Sequence, residues 1–572
     1  MEIQRFKTSF AENIFRNKYA QGPNDTWDAL SERVVEDVCG TRGGTQPKLM
    51  SNEDRKQLVE YIKEMKFLPG GRYLYYAGRP VHYFNNCYLL RAEYDTREEW
   101  SAVTQRAMSC LMTGGGIGID YSRLRASGKI LSRTGGKASG PIPLMYCINE
   151  VGRNVMQGGS RRSAIYASLN WQHEDIPDFL SAKNWEDRDI LGVGGETRYS
   201  LADAKRQDFN FPCPLDMTNI SVNYDNEALG GAESDGMGGW HYNTLLKTRE
   251  VFLENCKQAL STGEPGFSFN FGDKENETLR NACTEVTSED DSDVCNLGSV
   301  NLGNIESLEE FKSVVGLASK FLVCGTLRAD LPYEKVYKVR EKNRRLGLGL
   351  MGIHEWLLKR EEKYEVTDEL KKWLGVYRDE SEKSAKEHCD RFYISHPIAF
   401  RAIAPTGTIG ILAATTTGIE PLFACAFKRR YLVDGSRWKY EFVVDATADR
   451  LIREYSCKPE SIDTALKLSG DYEKRIKFQA DVQDFVDMSI SSTINLPKWG
   501  SKENNEDRVG EFASILAKYA PRLRGFTCYP DSARGGQPLT EVPYEEAKAH
   551  KGIVYDEVDV CSITNRGGSC GV

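Results

Sequence analysis

Between Pro69 and about Pro497 the chain alternates brief apolar runs bounded by glycine with longer stretches of helical periodicity, and that alternation restricts its fold more than any other feature. The runs Cys87-Tyr88-Leu89-Leu90, Ile117-Gly118-Ile119 and residues 164–169 have the length of strands. Residues 242–261 and 370–391 are too long for strands and read as helices. Strands alternating with helices suggest an α/β sheet or barrel. A helical lead precedes it, with apolar residues recurring every three to four positions over 27–35 and 54–62, until Leu68-Pro69-Gly70-Gly71-Arg72 interrupts the pattern. The organisation expected is a helical segment over 1–68, an α/β barrel over 69–499, a small α/β appendix over 500–555 and a polar tail over 556–572.

Charge and cysteine usage narrow the function classes. With 75 basic and 83 acidic side chains and a formal net charge of −8, the chain lacks the basic excess of a nucleic-acid binder, so any nucleotide contact is expected to be local. It has no apolar run of membrane-spanning length, and its start is too charged for a secretory signal, which together point to the cytoplasm. Fifteen cysteines, irregularly spaced, do not form the framework of a secreted disulfide scaffold. Most should be buried thiols, and those in polar, glycine-rich surroundings call for another explanation.

The most informative segment is Asn281-Ala282-Cys283-Thr284-Glu285, followed by Val294-Cys295-Asn296-Leu297-Gly298-Ser299-Val300-Asn301-Leu302-Gly303. In an extended segment, positions two apart share a face, which would group an amide, a thiol and a carboxylate. For an isolated cysteine, a buried structural thiol beside a solvated Glu is the better reading. The wider pattern changes that. This segment resembles the active-site finger loop of the ribonucleotide reductases. Other segments agree in the family's order: Asn85-Asn86-Cys87 resembles the site of the first redox cysteine, and residues 114–119 resemble the glycine-rich turn that follows it. Gln157-Gly158-Gly159-Ser160-Arg161-Arg162 is similar to the mobile loop linking effector and substrate sites, and residues 344–352 and 405–410 are similar to later landmarks. Six ordered motifs between about Pro69 and Leu539 are far more specific than any one alone.

The resemblance implies a fold and a set of roles. The fold is a ten-stranded reductase-type α/β barrel around a central finger loop, with a helical N-terminal segment and no ATP cone. Without that cone, dATP should not shut the enzyme off through such a site. Cys283 would carry a thiyl radical that removes the ribose 3′ hydrogen. Glu285 would act as general base toward the 3′-hydroxyl, and Asn281 would hold the substrate hydroxyl. Cys87 and Cys295 would supply two reducing equivalents and close into a disulfide, which Cys561 and Cys570 of the tail would reopen for a thioredoxin or glutaredoxin-type reductant. Two cysteines without a nearby histidine make a half-built zinc site, so a zinc role for the tail is the weaker reading.

With the resemblance, Thr406-Gly407-Thr408 is expected to bind substrate phosphate, although on the residues alone an ordinary helix cap after Pro405 is the better reading. Asp95, Arg133, Lys137, Gln157 and Arg161 are the residues expected to bind a deoxynucleotide or ATP effector that selects the base reduced. The radical source divides the family. One branch uses adenosylcobalamin; another receives an oxidising equivalent from a separate di-metal subunit through two adjacent tyrosines. Cys528-Tyr529 stands where that pair would be, and Ser491-Ser492-Thr493-Ile494-Asn495-Leu496-Pro497 also resembles the cobalamin branch, so adenosylcobalamin is favoured with the di-metal partner as the alternative. Tyr75-Tyr76 is also an adjacent pair, expected to be packing in a strand. Whether the chain pairs with itself, and whether it takes a di- or triphosphate, stays open. A glycyl-radical relative would need its motif near Gly567, Gly568 and Gly571, but cysteines flank them. A catalytically inert nucleotide-binding regulator would have no use for Cys87, Cys283, Cys295 and Glu285.

Overall fold

The structure is a computed structural model, and it describes residues 5–41, 47–155, 163–191, 198–208, 211–229, 246–433, 437–454, 457–531 and 539–556. Ten strands form its main sheet: β1 (Phe67–Pro69), β2 (Cys87–Arg91), β3 (Gly116–Asp120), β4 (Ile165–Asn170), β5 (Thr218–Tyr224), β6 (Gly266–Phe269), β7 (Asp293–Asn301), β8 (Leu346–Met351), β9 (Thr493–Leu496) and β10 (Gly525–Pro530). Their order is β1-β7-β2-β3-β4-β5-β6-β10-β9, with β8 also paired to β7. From β2 to β6 neighbouring strands run parallel, and β2 and β3 are buried along their whole length, as strands covered on both faces must be.

Hydrogen bonds close this sheet on itself. Residues 399–403 pair with β8 on one side, through Leu346 N–H to Ala399 O at 2.9 Å and Ala402 N–H to Leu348 O at 3.1 Å. On the other side they pair with the chain entering β9, through Ile403 N–H to Ser489 O at 3.2 Å and Ser491 N–H to Ile403 O at 2.8 Å. A sheet closed in this way has no exposed edge between β8 and β9. The ten-stranded α/β barrel expected from the sequence is the observed architecture.

Helices cover the outside. On one side lie α1 (Trp27–Cys39), α2 (Asn52–Lys63), α3 (Gly71–Tyr76), α7 (Leu308–Arg328) and α8 (Asp368–Arg391), sharing a core that includes Leu30, Phe67, Phe321 and Trp373. On the other lie α4 (Arg97–Thr113), α5 (Pro141–Asn154), α6 (Leu246–Thr262) and α10 (Val509–Tyr519), packed on β2 to β6 and β10. The local signals are ordinary ones. Thr96 caps α4 by accepting from Glu99 N–H, and Pro141 opens α5, where a missing N–H costs nothing.

Two elements differ from the sequence reading. Tyr75 and Tyr76 lie in helix α3, not a strand, and pack edge to face at 4.9 Å. Residues 114–119 are not one turn: Gly114 ends α4 at φ +92°, and Gly116 starts strand β3. The segment expected as an appendix also divides in two. Residues 509–530 supply α10 and a strand of the main sheet, whereas Leu539–Glu541 and Val554–Asp556 flank a hairpin of Ala426–Val433 and Arg437–Val444.

Candidate active site

The barrel interior holds a loop that runs from Glu277 to Ser288, pinned where Leu279–Arg280 pairs antiparallel with Thr287–Ser288. Beside Gly118 of β3 the loop comes so close that a Cβ there would collide with the Arg280 carbonyl, and a Cβ on Gly116 would sit 3.2 Å from the Ala282 methyl. Gly116 and Gly118 thus make room for the loop, a role invisible in the sequence.

Cys87 opens β2 and Cys295 lies in β7; the antiparallel ladder sets them directly opposite each other. Facing positions in such a ladder bring Cβ atoms to roughly 4.5–5.5 Å, within reach of a disulfide after a small adjustment. Both thiols are free and buried. Asn281 joins them from the loop: its Nδ2 donates to Cys87 Sγ at 2.9 Å while its Oδ1 accepts from Val286 N–H at 2.9 Å. Glu285 takes the Cys87 thiol at 3.8 Å on Oε1, while among the described residues its Oε2 has no hydrogen-bond partner despite being buried. A buried oxygen without a partner is a place for a ligand to donate.

Burial pushes the Glu285 carboxyl up to about 7, against hydrogen bonds from Asn281, its own backbone and Cys87. Burial also pushes Cys87 well above the usual thiol range, helped by the charges of Glu285, Cys295 and Cys283; Cys295 rises likewise, with Asp293 and Glu285 adding to burial and Arg345 opposing it. These resting thiols are protonated at neutral pH, the form that can give up hydrogen. Cys283 differs in being exposed, beside Thr284 in the left-handed region at φ +69°. The structure therefore brings Cys87, Cys283, Cys295, Asn281 and Glu285 into one site, with Cys283 on its open side.

Thr406 follows the closing segment, whose Ala402 and Ala404 share an interior cluster with Cys87 and Cys295. Its hydroxyl accepts from Gly418 N–H at 2.8 Å rather than capping, and Gly407 and Thr408 begin the short helix α9 (Gly407–Ala413). Asp95 is ion-paired to Arg125, and Arg133 and Lys137 lie on an exposed hairpin-like loop held by Ala138 N–H to Lys129 O at 2.7 Å. None of these three joins the cysteine site. Gln157, Arg161, Cys561 and Cys570 lie outside the described residues.

The sequence reading missed a buried charge network at the base of the loop. Arg345 Nε meets Asp293 at 2.7 Å, and Arg524 meets Glu277 at 2.9 Å. Against the push of burial, the Arg345 and Arg524 guanidiniums hold Glu277 down to about 2. An arginine directly ahead of a wholly buried strand was the available signal, since a cation there must be paired.

A buried dithiol beside a carboxylate oxygen without a hydrogen-bond partner, enclosed in an α/β barrel, is an arrangement that can give up two hydrogens and close into a disulfide. The family model for the ribonucleotide reductase barrel domain matches residues 85–214, 218–372 and 395–520. The chain belongs to the ribonucleotide reductase family and is an oxidoreductase that reduces ribonucleotides. It is similar to the vitamin B12-dependent ribonucleoside-diphosphate reductase of Mycobacterium tuberculosis, at 26% identity over 93% of this chain and 80% of that one. The enzyme of the same name from Thermoplasma acidophilum is 26% identical over 87% of this chain and 68% of its own length. A putative adenosylcobalamin-dependent ribonucleoside-triphosphate reductase of Mycobacterium phage D29 is 22% identical over 94% and 95%. No helix among the described residues is long and apolar enough to cross a membrane.

Proposed function

We propose that the chain reduces ribonucleoside di- or triphosphates by a thiyl-radical route centred on Cys283, with adenosylcobalamin as the radical source. The observation that carries the reading is the facing pair Cys87 and Cys295 with Asn281 and Glu285 against Cys87. When bound, adenosylcobalamin supplies a one-electron oxidant at the open side of the loop, where Cys283 and Thr284 would meet it. Cys283 is exposed there, so a bulky group can reach its sulfur without displacing the core. Cys528 suits a tyrosine relay poorly. Its thiol donates to Ala259 O at 3.5 Å under α6, and Tyr529 alternates to the opposite face of β10.

In this reading the Cys283 sulfur takes the 3′ hydrogen atom and later returns it. Glu285, poised near neutrality, accepts the 3′-hydroxyl proton as the 2′-hydroxyl leaves as water. Asn281 orients the hydroxyl while bracing Cys87. Cys87 and Cys295 together surrender two hydrogens and join as a disulfide, so one ribonucleotide and two thiols give one deoxyribonucleotide, one water and one disulfide. Cys561 and Cys570 then reopen that disulfide for a thioredoxin or glutaredoxin-type reductant. Thr406, Gly407 and Thr408 hold substrate phosphate, and Asp95, Arg133, Lys137, Gln157 and Arg161 receive a deoxynucleotide or ATP effector. The protein works in the cytoplasm, with residues 67–530, β10 included, as its catalytic body.

The test is turnover of the purified chain with ribonucleotide, adenosylcobalamin and dithiothreitol and no second protein. Deoxyribonucleotide formation is expected. Silence under these conditions, with activity restored by a di-metal partner subunit, would overturn the cobalamin assignment.

A further inference from the structure

A second thiol cluster lies away from the reducing centre. Cys39 is the last residue of α1, Cys324 lies in α7, and His388 lies in the last turn of α8. All three are buried, and Cys324 Sγ stands 3.3 Å from His388 Nε2. Cys39 packs in the same core cluster, close enough to Cys324 for each thiol to shift the other's titration. Arg328, one turn along α7, donates to Gly40 O at 3.0 Å and Pro47 O at 2.7 Å, which fixes the chain leaving α1 beside the pair.

The geometry points to a second redox-active thiol pair, Cys39 and Cys324 assisted by His388, which a hydroperoxide oxidises to a disulfide tying α1 to α7. A thiol against an imidazole and beside a second thiol has the thiolate character of a reactive cysteine. Because both sulfurs are buried, a small hydroperoxide reaches them through local opening of the packed helices. The electrostatics agree. Burial raises both thiols, yet the influence of Cys39 and His388 outweighs it at Cys324, which is held below the usual thiol range, while Cys39 is pushed above it. Cys256 and Cys528 make the contrast: burial raises both, the charge of Cys528 adds to the rise at Cys256, and no opposing interaction is found among the described residues.

The step balances in two stages. The Cys324 thiolate attacks a peroxide oxygen, forming an S–O bond as the O–O bond breaks, and the departing hydroxide takes the proton held at His388. Cys39 then attacks the sulfenic sulfur, forming the S–S bond and releasing hydroxide that takes the Cys39 proton. Two thiols and one hydrogen peroxide give one disulfide and two waters. Gly325, beside Cys324, abuts the Tyr73 hydroxyl, and Tyr73 is bonded to Asn296 Nδ2 at 2.5 Å, next to Cys295. The pair is therefore two contacts away from the reducing centre.

The full-length protein is treated with stoichiometric hydrogen peroxide, denatured in N-ethylmaleimide, digested without reduction and mapped by mass spectrometry. A cross-linked peptide pair bearing Cys39 and Cys324, two hydrogens lighter than the dithiol and reversed by dithiothreitol, is expected, with Cys256 and Cys528 recovered as alkylated thiols. Cys39→Ser should leave Cys324 as a sulfenic acid captured by dimedone, and His388→Gln should slow the oxidation about tenfold or more. Recovery of Cys39 and Cys324 as alkylated thiols, at a peroxide dose that oxidises Cys87 and Cys295, overturns the proposal. The wild-type map decides this even where a variant fails to fold.

Discussion

Cys87 and Cys295 face each other across an antiparallel strand pair although they stand 208 positions apart in the chain, and Asn281 of the interior loop holds the first by its sulfur. The order of the sheet, with β7 returning beside β2, creates this pairing.

Replacing either member should abolish multiple turnover. Cys87→Ser and Cys295→Ser are each expected to lower steady-state deoxyribonucleotide formation by roughly 10³-fold or more, because neither serine can give up a hydrogen and close an S–S bond. Circular dichroism should stay unchanged, since serine fills nearly the same buried space. Near-normal turnover in either variant would remove that residue from the reducing pair.

Glu285 should set the acid limb of the pH profile. With its carboxyl pushed up to about 7, the base form grows as pH rises through that value, so the chemical step should quicken between about pH 6 and 8. Glu285→Gln should flatten this limb and cost on the order of 10²–10⁴-fold in kcat. A limb that persists in the variant belongs to another group.

The same shift has a consequence for stability. The folded-state value lies above the ordinary carboxyl value of 4.5, so the folded state holds its proton more tightly than the unfolded chain. Stability from this group is complete below about pH 4.5 and is lost as pH rises through about 7. Glu285→Gln should therefore gain on the wild type at pH 8 relative to pH 4.5, by an amount on the order of 3 kcal/mol. Urea unfolding at the two pH values measures it, and an equal difference at both would refute the buried-carboxyl account.

Much of the chemistry was legible because it rests on residue types that have few other uses together. Asn281, Cys283, Glu285 and the two distant cysteines announced a thiol-based site, and glycine-bounded apolar runs announced the α/β body. What stayed hidden depends on contacts across the fold. Gly118 matters because the Arg280 carbonyl passes beside it, and Arg345 because Asp293 and Glu277 meet it inside the barrel. Tyr75-Tyr76 misled because aromatic residues favour strands, whereas the turn at Gly70-Gly71 starts a short helix.

The charge network gives a sharper stability test. Arg345→Met leaves Asp293 buried without its cation, and the expected loss is about 3–5 kcal/mol, seen as a lowered urea midpoint. Restoration by the double change Arg345→Met with Asp293→Asn should be partial, since Glu277 also loses a partner. A single variant as stable as wild type would mean that the network is not a support of the loop.

Gly118→Ala places a methyl group against the Arg280 carbonyl in the barrel interior. Overpacking at backbone costs about 1–3 kcal/mol or more, and the loop bearing Asn281, Cys283 and Glu285 has to shift to relieve it. Activity should fall further than stability, and equal wild-type turnover would contradict the close approach.

The most direct measurement is a single turnover by pre-reduced protein without added reductant, stopped in N-ethylmaleimide under denaturing conditions. Peptide mapping then counts the disulfide against the product. One Cys87–Cys295 disulfide for each deoxyribonucleotide is the predicted result; product formed while both cysteines are recovered as alkylated thiols would contradict the account.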